Sequence, residues 1–324
     1  MRSILRENHN CWRLAKADRI AFVVDGENYF RAVREAFCSA HHSIFIIGWD
    51  IHSEIRLIRD GKQDDYPEKL GPLLTFLARE RRGLNIYILN WDFAMIYAME
   101  REFFPHYRLR WKSHDRVHFC LDGNHPIGAS QHQKIVVVDD RLAFSGGFDL
   151  SKWRWDTPGH AVDNEQRIDP DGKPYPPFHD VQMLVDGEAA VALGKLVRER
   201  WRIASGSEAV DLNTGTEGDP WPACCNAAQE KVDIGIARTL PAYKDRDEVR
   251  EVERHYLDSI EAAQDYIYFE NQYLSSQSIV NALAKRLQES NGPQVVIVMP
   301  EKTGGWLEQH TMDVLRARVL QQLR

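Results

Sequence analysis

Two residues separated by one, His132 and Lys134, stand just before a run of β-branched residues, Ile135 to Val138. Asp139 follows that run, and a Ser-Gly-Gly turn comes at 145–147. On an extended chain residues i and i+2 share a face, so the spacing predicts an imidazole and an ammonium side by side at the mouth of a buried strand. Such a pair suits a phosphoryl group. Lys134 would neutralise one phosphate oxygen, and backbone N–H groups at Gly146 and Gly147 would cradle another. His132 would act as nucleophile or as general acid and base. A lone His-x-Lys would read as an exposed pair at a strand edge. The Asp and the glycine pair at set distances make the stronger case here.

The elements that must position these residues alternate along the chain. Strands are expected at 19–24, 43–49 and 84–90, and amphipathic helices at 27–40 and 67–83. The order then recurs, with strands at 232–240, 266–274 and 294–300 and helices at 247–264, 278–292 and 304–323. This predicts an α/β fold with a mixed, mostly parallel sheet sandwiched by helices, built as a pseudo-repeat of two halves. The halves are expected at 1–204, carrying the His-x-Lys motif, and at 231–324, with a polar linker at 205–230. Leu315, Val319 and Leu323 share one face of the last helix. The offset of 209 residues from Asn85 to Gln294 would put a counterpart of His132 at about position 341, past Arg324.

Bulk properties narrow the function classes. The chain has 324 residues, 43% of them apolar, which is ample for a buried core. A net charge of −7 argues against a sequence-blind nucleic-acid binder, which needs a basic balance. Five cysteines, two of them the adjacent Cys224 and Cys225, show no disulfide framework and read as free thiols. With no apolar leader at the start and no run of about 18 apolar residues, a cytoplasmic protein is expected, with peripheral contact at a membrane. Thirteen histidines make chance pairs easy, yet no metal-ligand spacing stands out, so neither metal nor cofactor is expected.

The spacing His132-x-Lys134-x4-Asp139-x6-Gly146-Gly147 resembles the signature of the phospholipase D superfamily. "GGFDLSKWRWDTPGH" (146–160) is similar to the first of two motifs in phospholipase D proper. "IIGWDIHSEIRL" (46–57) resembles the family's early strand, and "YIYFENQYL" (266–274) the strand that opens its second half. The resemblance implies two α/β halves, each giving one His-x-Lys motif to a shared site, with no metal required. One His attacks phosphorus to form a phosphohistidine. The other protonates the leaving alcohol and then activates water or an acceptor alcohol.

Carried onto this chain, the resemblance implies that His132 is the nucleophile and Lys134 the phosphate-binding cation. Asp139 is the motif Asp, a position that is more often structural. Gly147 and Asp149 occupy turn positions where many members carry Ser and Asn ligands, and Gln131 stands where relatives often have a second His. A nucleophilic His needs an orienting carboxylate, and Asp180 in "PFHDVQMLVDG" (177–187) lies where the family carries such a group. Glu270 and Asn271 are implied as contacts from the second half. Trp49, Trp91, Trp153 and Trp155 read as core packing before they read as a lipid cleft.

The implied reaction is cleavage of a phosphatidyl lipid to phosphatidic acid and an alcohol, or transfer to another alcohol as in a cardiolipin-synthase-like enzyme. The implied substrate is a phospholipid at a membrane surface, with nucleic acid disfavoured. One His-x-Lys cannot supply both nucleophile and acid. The expectation is therefore a C-terminally truncated chain, built for catalysis but incomplete alone. It would need a second histidine from another chain or a symmetric dimer, or else it binds phosphate without turnover.

Overall fold

The computed structural model describes residues 3–61, 64–92, 111, 114–209 and 218–300. The chain divides into two compact units, one of residues 15–234 and one of residues 1–14 with 235–324. The expected helix at 304–323, with Leu315, Val319 and Leu323, lies outside the described residues.

The first unit is organised by an eight-stranded sheet. Its strands are β1 (Arg13–Val24), β2 (Ser43–Gly48), β3 (Asn85–Trp91), β4 (Val117–Asp122), β5 (Ile135–Val138), β6 (Leu142–Gly146), β7 (Val181–Asp186) and β8 (Gln229–Ile236), and its helices α1 (Gly26–Ser39), α2 (Leu70–Glu80) and α3 (Gly187–Ser205). The strand order is β4-β3-β2-β5-β6-β7-β1-β8. β2, β3 and β4 run parallel, whereas β5, β6, β7 and β1 join the sheet by antiparallel pairings. The sheet is thus mixed, with its parallel part confined to one side. The sequence reading left β4 and α3 unassigned.

The centre of the sheet is buried on both faces. Ile44, Ile46, Val136, Val138 and Phe144 pack with Phe30, Val33 and Phe37 of α1 and Leu73, Leu74 and Leu77 of α2 in one cluster. The alternating residues Phe45, Val137, Ala143 and Val185 are also buried, on the face opposite, as the period of two requires. α3 packs along β4, β5, β6 and β7. Continuous burial explains why β5 reads as an unbroken apolar run.

The second unit holds two short strands, β9 (Thr239–Leu240) and β10 (Val249–Arg250), then α4 (Glu251–Ala262), β11 (Tyr266–Glu270), α5 (Gln277–Leu287) and β12 (Gln294–Val298). β11 and β12 pair in parallel, from Tyr266 opposite Gln294 to Glu270 opposite Val298. Ile260, Ile267 and Leu283 form its small core. Among the described residues no helix is long and apolar enough to cross a membrane.

Candidate active site

His132 and Lys134 lie just before β5, in a stretch from 129 to 134 that has no strand partner. Their side chains do not share an environment. His132 is exposed, whereas Lys134 is buried at 6% exposure. Lys134 Nζ meets Asp149 Oδ2 at 3.0 Å and donates to the His132 carbonyl oxygen at 3.3 Å. The other Asp149 oxygen accepts the Trp49 N–H at 2.8 Å. Gly48 makes room for this carboxylate, because a Cβ there would stand 2.9 Å from Asp149 Oδ1.

Burial pulls the Lys134 ammonium down and pushes the Asp149 carboxyl up, and the Coulomb attraction between the two opposes both shifts. His132 is pulled down to about 4, first by desolvation and then by the cations Lys134 and Arg154. At neutral pH the imidazole is therefore uncharged and keeps a lone pair. Trp49 stands edge-on to it, ring centroids 6.2 Å apart, and packs on Trp91 at 5.6 Å.

Asp180 sits at the start of β7 and takes the Val181 N–H at 2.8 Å. Burial pushes its carboxyl up, offset by the Val181 N–H, Lys134, Arg154 and His179 in that order. It lies on the Lys134 side of the site, and no hydrogen bond to His132 forms. The expected orienting contact between Asp180 and His132 is thus absent from the described structure. Asp180 fills the space over Gly147 instead, where a Cβ would fall 2.0 Å from its Oδ1.

The expected glycine cradle is also corrected. The Gly146 N–H goes to the Lys134 carbonyl oxygen at 3.4 Å, Gly147 N–H to Val181 O at 3.2 Å and Phe148 N–H to Gln182 Oε1 at 3.1 Å. These donors are spent on sheet and turn. The glycines are needed because Val181, Gln182 and Asp180 press against them.

Asp139, expected in the catalytic set, is held elsewhere. Its carboxylate accepts the backbone N–H groups of His41 at 2.7 Å, His42 at 2.8 Å and Ser43 at 2.7 Å. It stands at the far end of β5, about 16 Å from Lys134 at about 3.3 Å per residue. Glu270 and Asn271 belong to the second unit. There Asn271 Oδ1 accepts the N–H groups of Tyr273 and Leu274, which shapes the turn after β11.

Two features escaped the sequence reading. Arg154 is one, a cation that biases His132, Lys134, Asp149 and Asp180 together. The other is a metal-ligand grouping that no spacing reveals, since Asp25 lies far along the chain from its partners. Asp25, His160 and His179 bring ligand atoms within 4.8 Å of one another. Asp25 Oδ1 is 2.7 Å from His179 Nδ1, and its Oδ2 is 3.3 Å from His160 Nε2. Ligand atoms around a tetrahedral cation with bonds of about 2.0–2.1 Å stand about 3.3 Å apart.

The support behind this grouping also suits a cation. His160 Nδ1 points to Asp156 Oδ2 at 3.1 Å, which leaves Nε2 as the ligating nitrogen. Burial pushes Asp156 up, but His160, the Phe178 N–H, Arg167 and the Thr157 N–H outweigh it and hold the carboxyl below its ordinary value. Asp25 has φ 66 and ψ 159, a region that is essentially glycine's and costs on the order of 1–3 kcal/mol. These residues could hold a divalent cation beside Asp180, the neighbour of His179.

Residues 36–290 match the family model for Phospholipase D, and the chain belongs to that family. Phospholipase D C of Dictyostelium discoideum is 31% identical over 216 residues, covering 57% of this chain and 13% of its own length. Phospholipase D delta of Arabidopsis thaliana is 25% identical over 353 residues, 75% of this chain and 40% of the relative. The chain therefore spans well under half the length of these relatives. Among solved structures, the phosphatidylserine synthase of Haemophilus influenzae Rd KW20 has a similar fold. Its TM-score is 0.51 at 11% identity, over 91% of this chain and 64% of that one.

Proposed function

We propose that this chain carries the nucleophile-bearing part of a phospholipase D-type phosphodiesterase. It would act on a phosphatidyl lipid and release phosphatidic acid, or pass the phosphatidyl group to an acceptor alcohol. The observation that carries this reading is the exposed His132 beside a lysine that is buried, paired with Asp149 at 3.0 Å and bonded back to the His132 carbonyl oxygen at 3.3 Å. A neutral imidazole attacks phosphorus with its lone pair while the cations draw in the anionic diester. The P–N bond forms as the P–O bond to the headgroup breaks. The departing oxygen then needs a proton that His132 cannot give. These 324 residues hold a single His-x-Lys, so that proton would come from a second histidine outside them. Asp149 keeps Lys134 charged inside the protein, and Asp180 closes the Lys134 side. Gly146 and Gly147 would then shape the site without touching phosphate. Glu270 and Asn271 rest on family resemblance alone as substrate contacts.

The second reading is a phosphate-binding or lipid-headgroup-binding half without turnover, favoured by the same single motif. Both are tested with the full chain and phosphatidylglycerol vesicles, with phosphatidic acid followed by ³¹P NMR. Phosphatidic acid above the His132→Gln background supports the enzyme. Vesicle binding that depends on Lys134 without product supports the binding half. Neither binding nor product sinks both.

A further inference from the structure

The stretch from 129 to 134 that carries His132 belongs to no strand, and apart from the Gly146 N–H on the Lys134 carbonyl at its end its course is set by side chains. Three do so. Lys134 reaches back to the His132 carbonyl oxygen at 3.3 Å. Gln131, buried, donates to the Asn124 carbonyl oxygen at 3.2 Å. Gln133, between the two motif residues, has its Oε1 held by Arg200 Nη1 at 2.7 Å.

Arg200 stands on α3 and is buried, and its other terminal nitrogen binds the buried carboxylate of Asp122 at the end of β4. Asp122 in turn accepts the Asn124 N–H at 3.0 Å. One ion pair therefore braces both the turn that receives Gln131 and the side chain of Gln133. Among the described residues no hydrogen bond or ion pair joins Arg200 or Asp122 to the His132 ring.

We propose that Arg200 is a positioning residue for His132, acting through Gln133. The planar guanidinium suits this task, since its forked donors reach the Asp122 carboxylate and the Gln133 carbonyl at once. The brace holds the His132 ring edge-on to Trp49 and within the influence of Lys134 and Arg154, the charged groups that bear on it. Without the brace the unpaired stretch relaxes outward and the ring meets more water. The consequence for catalysis rests on the proposed reading of His132 as the reacting group, whereas the positioning itself does not.

The test is an NMR titration of the histidine Cε1–Hε1 signals in the full chain between about pH 5 and 8, with His132 assigned from the His132→Gln spectrum. In the wild type the His132 signal should stay still across this window. In Arg200→Met it should titrate, with an apparent pKa that rises from about 4 toward the ordinary 6.5. Gln133→Ala should do the same while leaving the Arg200–Asp122 pair in place, so it separates lost positioning from lost folding. Gln133→Glu keeps an acceptor oxygen for Arg200 and should leave His132 still.

A still His132 signal in both Arg200→Met and Gln133→Ala would overturn the proposal. So would movement in Arg200→Met alone, since the route through Gln133 would then be wrong. Lipid cleavage plays no part in this readout. A chain that cleaves nothing yet shows the expected titrations would lose the proposed activity and keep the brace.

Discussion

The two ends of β5 do opposite work with similar chemistry. At one end Lys134 is buried against Asp149, beside the exposed His132. At the other end Asp139 spends its carboxylate on three backbone N–H groups of the segment leading into β2. A buried ion pair is costly to assemble and is weak evidence for stability. A carboxylate that satisfies three donors is a staple. The difference teaches that the His-x-Lys-x4-Asp spacing measures the length of a strand. It joins the end proposed to react to an end that anchors the backbone.

The sharpest way to break this comparison is Lys134→Met. It strands Asp149 without its cation and should cost about 3–5 kcal/mol in urea unfolding. The double change Lys134→Met with Asp149→Leu should recover most of that loss, because it removes both charges. Phosphate binding, followed by calorimetry, should be lost in both. If the single change is neutral, the pair is solvated and the site end is not the buried one described here.

A divalent cation should come next in size and act only at the end proposed to react. With Zn²⁺ at 100 times its dissociation constant, the melting transition should gain about 2.7 kcal/mol. His179→Ala should abolish the gain, and Asp139→Ala should keep it. A gain that survives His179→Ala would place the ion elsewhere.

Asp139→Ala should cost about 2 kcal/mol, near the value of one hydrogen bond to a charged acceptor, since water replaces part of what is lost. It should leave phosphate binding unchanged. Reduced phosphate affinity in that variant would return Asp139 to the site.

The smallest effect is on pH dependence. His132 titrates near 4 when folded and near 6.5 when unfolded. The unfolded chain thus binds the extra proton first, and stability falls as pH drops from about 6.5 to about 4, then levels below both values. His132→Gln should flatten that part of the profile in urea titrations, and an unchanged slope would mean that the ring is solvated like any exposed histidine.

Periodicity made most elements legible. α1 and α2 fall within the expected helices at 27–40 and 67–83, to within one residue at the start of α1, and β2 and β3 match the apolar runs. β4 was missed because "VHFCLD" lacks a β-branched run and four of its side chains are only partly buried. The motif made His132 and Lys134 legible, but not that the first is exposed and the second buried. Nothing in a linear pattern says that the Gly146 and Gly147 donors are already spent, since that depends on how β6 sits between β5 and β7. The Asp25, His160 and His179 grouping was equally hidden. Asp25 occupies a backbone conformation that its residue type does not announce, and the fold alone carries it to the two histidines.

Gly147 and Asp180 have one more implication. The carboxylate fills the place that any side chain at 147 would need, so the two positions compete for a single volume. A Ser at 147 and a carboxylate at 180 in its present rotamer are mutually exclusive. A substitution at either position is therefore read correctly only together with the other, and a variant library that changes them one at a time would score as intolerant two sites that can change as a pair.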